Sequence, residues 1–195
     1  MKCDVILAGV GGQGVLSVAT AIALGAMKDG LQVRQSEVHG MAQRGGAVQA
    51  HLRLSDAVIY GDLVGRASAH LILAMEPLEA LRYLSYLRPA GMLVTAAEPF
   101  KNIASYPEVE ALYMEIRRLP NHRLIQAAAL AAEAGAARAT NMVMVGAASE
   151  FLPIRESSLL AAIDGLFARK GESVVAANRA AFALGRKAVS AAAEV

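Results

Sequence analysis

The feature that most restricts how this chain can fold is Gly9-Val10-Gly11-Gly12-Gln13-Gly14, set between the apolar run Val5-Ile6-Leu7-Ala8 and a long segment rich in Ala, Leu and Val. Strand, glycines, helix is the order that a phosphate-cradling turn requires. Glycine adopts backbone conformations closed to other residues and lets the main chain approach a ligand where a Cβ would collide. The first turn of the following helix leaves N–H groups unpaired at its positive dipole end, which favours an anion. Gly9, Gly11 and Gly14 fit G-x-G-x-x-G in the right context. A dinucleotide reader also needs an acidic residue at the end of the second strand, about 20 residues on. Asp29 comes before that strand and Glu37 after it. Two readings therefore stay open at this turn: a bound phosphate or pyrophosphate, or a tight connection with close helix–strand packing.

The pattern predicts strands at 3–8, 31–36, 47–54, 70–75, 92–95 and 123–125, with a further short strand at Val58-Ile59-Tyr60. Helices are expected from Gly12 to Lys28, from Glu76 to Leu87, from Val109 to Leu119, and then at 127–136, 139–151, 157–169 and 173–193. Lys28-Asp29-Gly30 ends the first helix with a basic residue and a glycine. Pro89-Ala90-Gly91 reads as a turn, and Glu98–Pro107 as irregular. Strand–helix alternation over the first two-thirds implies an α/β fold. The expected architecture is a three-layer α/β/α sandwich with a mainly parallel, Rossmann-like sheet and a helical C-terminal third. No repeat or linker interrupts 1–195, which reads as one domain.

The chain of 195 residues is 55% hydrophobic and 18% charged, below the roughly 25% charged residues of an average soluble domain. So low a charge fraction suggests surface covered by another chain, including a homodimer when the chain is isolated. A net charge of +2 without basic runs sets nucleic acid aside. The lone Cys3 can supply neither an internal disulfide nor a zinc or iron–sulfur site, so any redox metal belongs to a different chain. Residues 5–27 carry no charge, which raises the question of a membrane span. The glycines, Gln13, Ser17 and Thr20 weaken that reading, and a cytoplasmic protein is expected.

The second informative stretch is Glu37-Val38-His39-Gly40-Met41-Ala42-Gln43-Arg44-Gly45-Gly46, polar and glycine-punctuated. In an open parallel sheet, loops at the carboxyl ends of strands share one crevice. That rule brings Gln13, Glu37, His39, Gln43 and Arg44 to the first glycine turn. Arg44 offers a planar fork for phosphate or carboxylate, and Gly45-Gly46 permit close backbone approach. Ordinary structural roles are equally open: Arg44 paired with Glu37, His39 capping the loop, Met41 packed inward.

The two glycine stretches, in this order, resemble the gamma-type subunit of 2-oxoacid:ferredoxin oxidoreductases, and most closely the beta subunit of indolepyruvate oxidoreductase. Asn141-Met142-Val143-Met144-Val145-Gly146, Leu152-Pro153 and Asn178-Arg179-Ala180-Ala181-Phe182-Ala183-Leu184-Gly185 agree with it, so the likeness covers nearly the whole chain. The resemblance implies a subunit, inactive alone, of a complex that oxidatively decarboxylates a 2-oxoacid, here an aryl pyruvate, to an acyl-CoA while reducing ferredoxin. It also implies that thiamine diphosphate, magnesium and the iron–sulfur clusters sit on a large partner subunit, with CoA as substrate and no cofactor bound tightly by this chain. On that basis the binding residues would be Gly9, Gly11, Gly12, Gln13, Gly14, Glu37, His39, Gln43, Arg44, Gly45 and Gly46, with Arg44 and the Gly12–Gly14 amides toward CoA phosphates; no catalytic or metal-ligating residue is assigned. The alternatives are a free-standing nicotinamide- or flavin-dependent oxidoreductase and a non-catalytic nucleotide-binding assembly module. Asn141 reads as a helix cap that can reach the crevice, Asn178 and Arg179 as a solvated or partner-facing surface, and His51, His70 and His122 as structural.

Overall fold

A computed structural model describes residues 1–39 and 45–191. Six strands, β1 (Lys2–Val10), β2 (Gln32–His39), β3 (Ala47–Ser55), β4 (Ala69–Ala74), β5 (Leu87–Ala96) and β6 (His122–Ile125), form one sheet in the order β2-β3-β1-β4-β5-β6. β1 pairs in parallel with β4, β4 with β5 and β5 with β6, while β3 runs antiparallel to both β1 and β2. Every strand but β3 therefore points the same way. Helices α1 (Val15–Lys28), α4 (Ala127–Glu133), α5 (Thr140–Ser149), α6 (Glu156–Phe167) and α7 (Glu172–Ala191) pack on one face. Helices α2 (Pro77–Arg82) and α3 (Val109–Arg117) cover the other. This is the three-layer α/β/α arrangement with a helical last third.

Local chemistry accounts for the central elements. Val5, Ile6, Leu7 and Ala8 are buried on both faces of β1, as a central parallel strand demands. Helix α1 buries Val15, Val18, Ala19, Ile22 and Ala26, one stripe of a 3.6-residue period. It stops as expected, with Asp29 at the cap and Gly30 at φ 78°. The Asp29 carboxylate then crosses to α6, where it accepts from Arg155 N–H at 2.7 Å and from the Ser158 hydroxyl. Helices α5 and α7 meet backbone to backbone: a Cβ on Gly146 would lie 2.0 Å from Phe182 O, and one on Gly185 1.9 Å from Val143 O.

Four local expectations are corrected. β2 continues to His39, because Glu37, Val38 and His39 pair with Ala50, Gln49 and Val48 of β3. Val58-Ile59-Tyr60 is not a strand; this stretch belongs to a loop that β3 side chains anchor, with Arg53 donating to Gly61 O and Leu63 O and His51 Nδ1 accepting from Val64 N–H. α2 ends at Arg82, and after a single 3₁₀ turn the chain enters β5 at Leu87. Pro89-Ala90-Gly91 lies within β5, although the ladder jumps from Ala69–Leu87 to Leu71–Met92 and leaves these residues bulged out. No helix among the described residues is long and apolar enough to cross a membrane.

Candidate functional site

The two glycine stretches come together at the carboxyl end of β1. Gly11 N–H donates to Gly46 O at 2.8 Å, and Gly45 N–H donates to Gly11 O at 3.1 Å, so the ends of the loops are joined by backbone hydrogen bonds. Gly12, Gly14 and Gly45 have φ of 107°, 82° and 75°, a region that other residues enter only under strain. Gly9 has a different task. A Cβ there would meet Val15 Cγ2 at 2.8 Å and Met75 Cβ at 3.0 Å, so Gly9 lets α1 and β4 close on β1.

Gln13 is committed to the scaffold. Its Oε1 accepts from Val10 N–H at 2.8 Å and its Nε2 donates to Met75 O at 3.2 Å, tying the turn to the ends of β1 and β4. This geometry aims the start of α1 outward. The first intrahelical bond runs from Val18 N–H to Gly14 O, which leaves the N–H groups of Val15, Leu16 and Ser17 unused by the helix. No acidic residue in the first turn offsets the positive end. A cleft of about 390 Å³ opens here, lined by Val10, Gly11, Gly12, Gly14, Val15, Leu16 and Val48. Asn141 stands in the first turn of α5, with Oδ1 accepting from Met142 N–H at 3.0 Å and its side chain packed against Gly14. The arrangement can hold an anion with backbone donors and an apolar group against Val15, Leu16 and Val48.

Not every expected residue joins the cleft. Because β3 lies between β1 and β2, Glu37 is displaced sideways by two strand spacings, about 10 Å, and its Oε1 accepts from Gln35 Nε2 at 2.7 Å. That displacement also removes the geometry in which an acid on the second strand reads a ribose beside the glycine turn. Gln43 and Arg44 lie outside the described residues, as do Gly40, Met41, Ala42 and the His39 side chain. Asn178, expected on an open surface, is buried and donates to Val174 O at 2.8 Å. Arg179 is exposed and paired with Asp164 at 2.6 and 2.7 Å. His51, His70 and His122 all serve the scaffold, accepting from Val64 N–H, accepting from Asp4 N–H and bonding Leu119 O.

Three residues that the sequence did not single out lie in the Glu98–Pro107 loop at this same end of the sheet. Glu98 Oε1 accepts from Ala128 N–H of α4 at 2.7 Å, Asn102 Nδ2 donates to Gly45 O at 2.7 Å, and Tyr106 Oη donates to Glu76 Oε2 at 2.6 Å. Glu76 is 1% exposed, and its second oxygen accepts from Glu79 N–H at the start of α2. Burial and the Glu76 carboxylate push the Tyr106 phenol well above its ordinary range. The signal that would have found them is position: the loop leaves the carboxyl end of β5. Among the described residues no group of three or more His, Cys, Asp or Glu side chains is placed to hold a metal ion.

Known proteins share both the sequence and this fold. Indolepyruvate oxidoreductase subunit IorB of Pyrococcus horikoshii is 39% identical over 155 residues, 75% of this chain and 76% of its own. The subunit of the same name from Thermococcus kodakarensis is 36% identical over 195 residues, 95% of each chain. The keto/oxoacid ferredoxin oxidoreductase gamma subunit of Geobacter sulfurreducens superposes with a TM-score of 0.70 at 22% identity, over 97% of this chain and 99% of that one. The 2-oxoglutarate:ferredoxin oxidoreductase of Magnetococcus marinus, solved with 2-oxoglutarate, coenzyme A and succinyl-CoA, gives a TM-score of 0.77 at 24% identity; 97% of this chain matches, spanning only 31% of that larger chain. These two structural likenesses concern the fold. A family model described as pyruvate ferredoxin/flavodoxin oxidoreductase matches residues 4–188. The chain belongs to that family, as a subunit of a 2-oxoacid:ferredoxin oxidoreductase.

Proposed function

We propose that this chain forms one domain that supplies the CoA-binding crevice of an indolepyruvate-type complex in the cytoplasm. The complex oxidatively decarboxylates an aryl pyruvate, passes the acyl group to CoA and reduces ferredoxin. Thiamine diphosphate, magnesium and the iron–sulfur clusters are assigned to a large partner subunit; for the clusters this chain offers only Cys3, buried in β1 with its thiol pushed up to about 12 by burial. The chain is inactive alone, and in isolation its apolar surface favours a homodimer. The substrate reading follows the relatives, which are indolepyruvate oxidoreductase subunits at 33–39% identity and 2-oxoglutarate synthase subunits at 28–29%.

One observation carries the CoA reading: the two glycine loops joined through Gly11, Gly45 and Gly46 beside the open first turn of α1. In this reading the amides of Gly12 and Gly14–Ser17 receive CoA phosphate, with Arg44, Gln43 and His39 completing the anion site from the second loop; the Gln13 N–H is held back by its bond to Val10 O at 3.0 Å. The test is hydrogen exchange on the complex purified through this chain, with and without CoA, alongside turnover on indolepyruvate, phenylpyruvate, pyruvate and 2-oxoglutarate. Protection of residues 10–17 by CoA is expected, with highest kcat/KM on an aryl pyruvate. Unchanged exchange at 10–17 under saturating CoA sinks the crevice assignment, and preference for 2-oxoglutarate sinks the substrate assignment.

A further inference from the structure

We infer that the loop between β5 and α3 is a strap that positions the CoA crevice, with Asn102 and Tyr106 as its positioning residues. This rests on the CoA reading above and names residues that it does not include. The strap is fixed at three separate places: Glu98 on the first turn of α4, Asn102 on the Gly45 carbonyl, Tyr106 on Glu76, the N-cap of α2. Between the fixed points residues 100–105 are exposed, and they include two large apolar side chains, Phe100 and Ile103, 41% and 45% exposed. Such a loop has no core of its own to hold its shape, so the hydrogen bonds do.

The middle bond reaches the crevice through Gly45. Gly45 donates its N–H to Gly11 and accepts from Asn102 on its carbonyl, so this one peptide segment links the first glycine turn to the strap. The Tyr106 bond fixes the far end. Glu76 is a buried carboxylate with one oxygen used to cap α2 and the other filled by the phenol. Loss of the phenol leaves a buried carboxylate oxygen without its donor, which loosens residues 100–106 and frees Gly45 on its outer side. Neither residue touches the reacting carbon chemistry, so the effect falls on CoA binding and leaves the steps before it intact.

The test uses the assembled complex carrying Tyr106→Phe, Asn102→Ala, Glu76→Ala or Glu76→Gln. Tyr106→Phe and Asn102→Ala should each raise KM for CoA about tenfold, with kcat and KM for the 2-oxoacid within about twofold of wild type. Amide exchange over 98–107 should quicken in Tyr106→Phe without CoA present. Glu76→Gln should recover much of what Glu76→Ala loses, because the amide N–H donates to Tyr106 Oη while its oxygen still accepts from Glu79 N–H. Asn102 is exposed, so its variant probes the strap without disturbing the core. An unchanged KM for CoA in both Tyr106→Phe and Asn102→Ala overturns the positioning role, provided that CoA protects 10–17 in the wild type. A parallel fall in kcat with every substrate overturns it as well. Lack of that wild-type protection removes the CoA reading itself, and the strap's role with it.

Discussion

The crossing of α5 and α7 gives the sharpest test of how this fold is held. A Cβ on Gly185 would sit 1.9 Å from the Val143 carbonyl oxygen and one on Gly146 2.0 Å from the Phe182 oxygen, where real Cβ contacts keep at least 3.0 Å. The obstructing atoms are backbone, so relief requires the two helices to part by about 1 Å or more, undoing the close packing around Phe182, Met142 and Val143, all 0% exposed. Overpacking of well-filled cores costs about 1–3 kcal/mol and more where side chains cannot yield; alanine returns about 1 kcal/mol through helix propensity. Because backbone atoms obstruct, the clash costs about 3–5 kcal/mol before that return, so Gly146→Ala and Gly185→Ala should each lose about 2–4 kcal/mol, roughly 4–16 °C in Tm for a chain of this size. The internal control is Gly165→Ala in α6, where nothing stands within 4 Å of the new Cβ. It should gain about 1 kcal/mol and melt roughly 2–4 °C higher. Thermal melts of the purified chain followed by circular dichroism, with urea titrations alongside, decide the matter. Crossing variants that melt within about 1 °C of wild type, or a Gly165→Ala that falls as far as they do, would refute the backbone-contact account.

Two further outcomes follow from the site and its surroundings. The Asp29 carboxyl is raised by burial but lowered further by the Ser158 hydroxyl and by the Arg155 N–H and guanidinium, and it settles at about 2 against 3.8 when free. A depressed acid stabilises the fold above its unfolded value and loses that contribution as pH falls from about 4 to 2. Discounted for solvent screening at the surface, Asp29→Asn should cost about 1 kcal/mol at pH 6 and almost nothing near pH 2. Parallel Tm–pH curves for the two proteins would contradict this. Gln13→Ala removes a donor and an acceptor that join Val10 and Met75, so it should lower stability by about 1–3 kcal/mol; a variant with wild-type Tm but lost CoA affinity would return Gln13 to direct ligand contact.

Much of the frame was readable in the residues. The run Val5–Ala8 and the glycines after it mark a buried strand, a tight turn and a helix because burial, conformational freedom and periodicity all agree there. Among the described residues the six strands and seven helices follow the expected order for the same reason. What escaped was decided at a distance. Glu37-Val38-His39 opens a polar, glycine-punctuated stretch and reads with the loop, yet pairing to β3 extends β2 through it. No local signal says that β3 should insert antiparallel between β1 and β2, and that insertion moves Glu37 away from the glycine turn. Asn178 looks like a surface residue until α7 buries it with its amide returned to Val174 O. Asn102 and Tyr106 belong to no motif; their partners, Gly45 and Glu76, are 57 and 30 residues away. Gly146 and Gly185, seen in sequence only as members of two family-like segments, prove to be the two halves of one helix contact.

The order of the strands also has a consequence in time. β1, β2, β3 and β4 come from residues 2–74 and are neighbours in the finished sheet, so four of its six described strands are synthesised before the helices that follow them. Its face bearing Val5, Leu7, Leu52 and Leu54 then has only α1 for cover, because α5, α6 and α7 begin at residues 140, 156 and 172. From the end of β4 at Ala74 until α5 begins at Thr140, the nascent chain presents an apolar sheet face whose lid has not been made, a state prone to sticking. Docking of α5 onto α7 is thus part of what ends this exposure, and the two glycines at their crossing let that cover close fully.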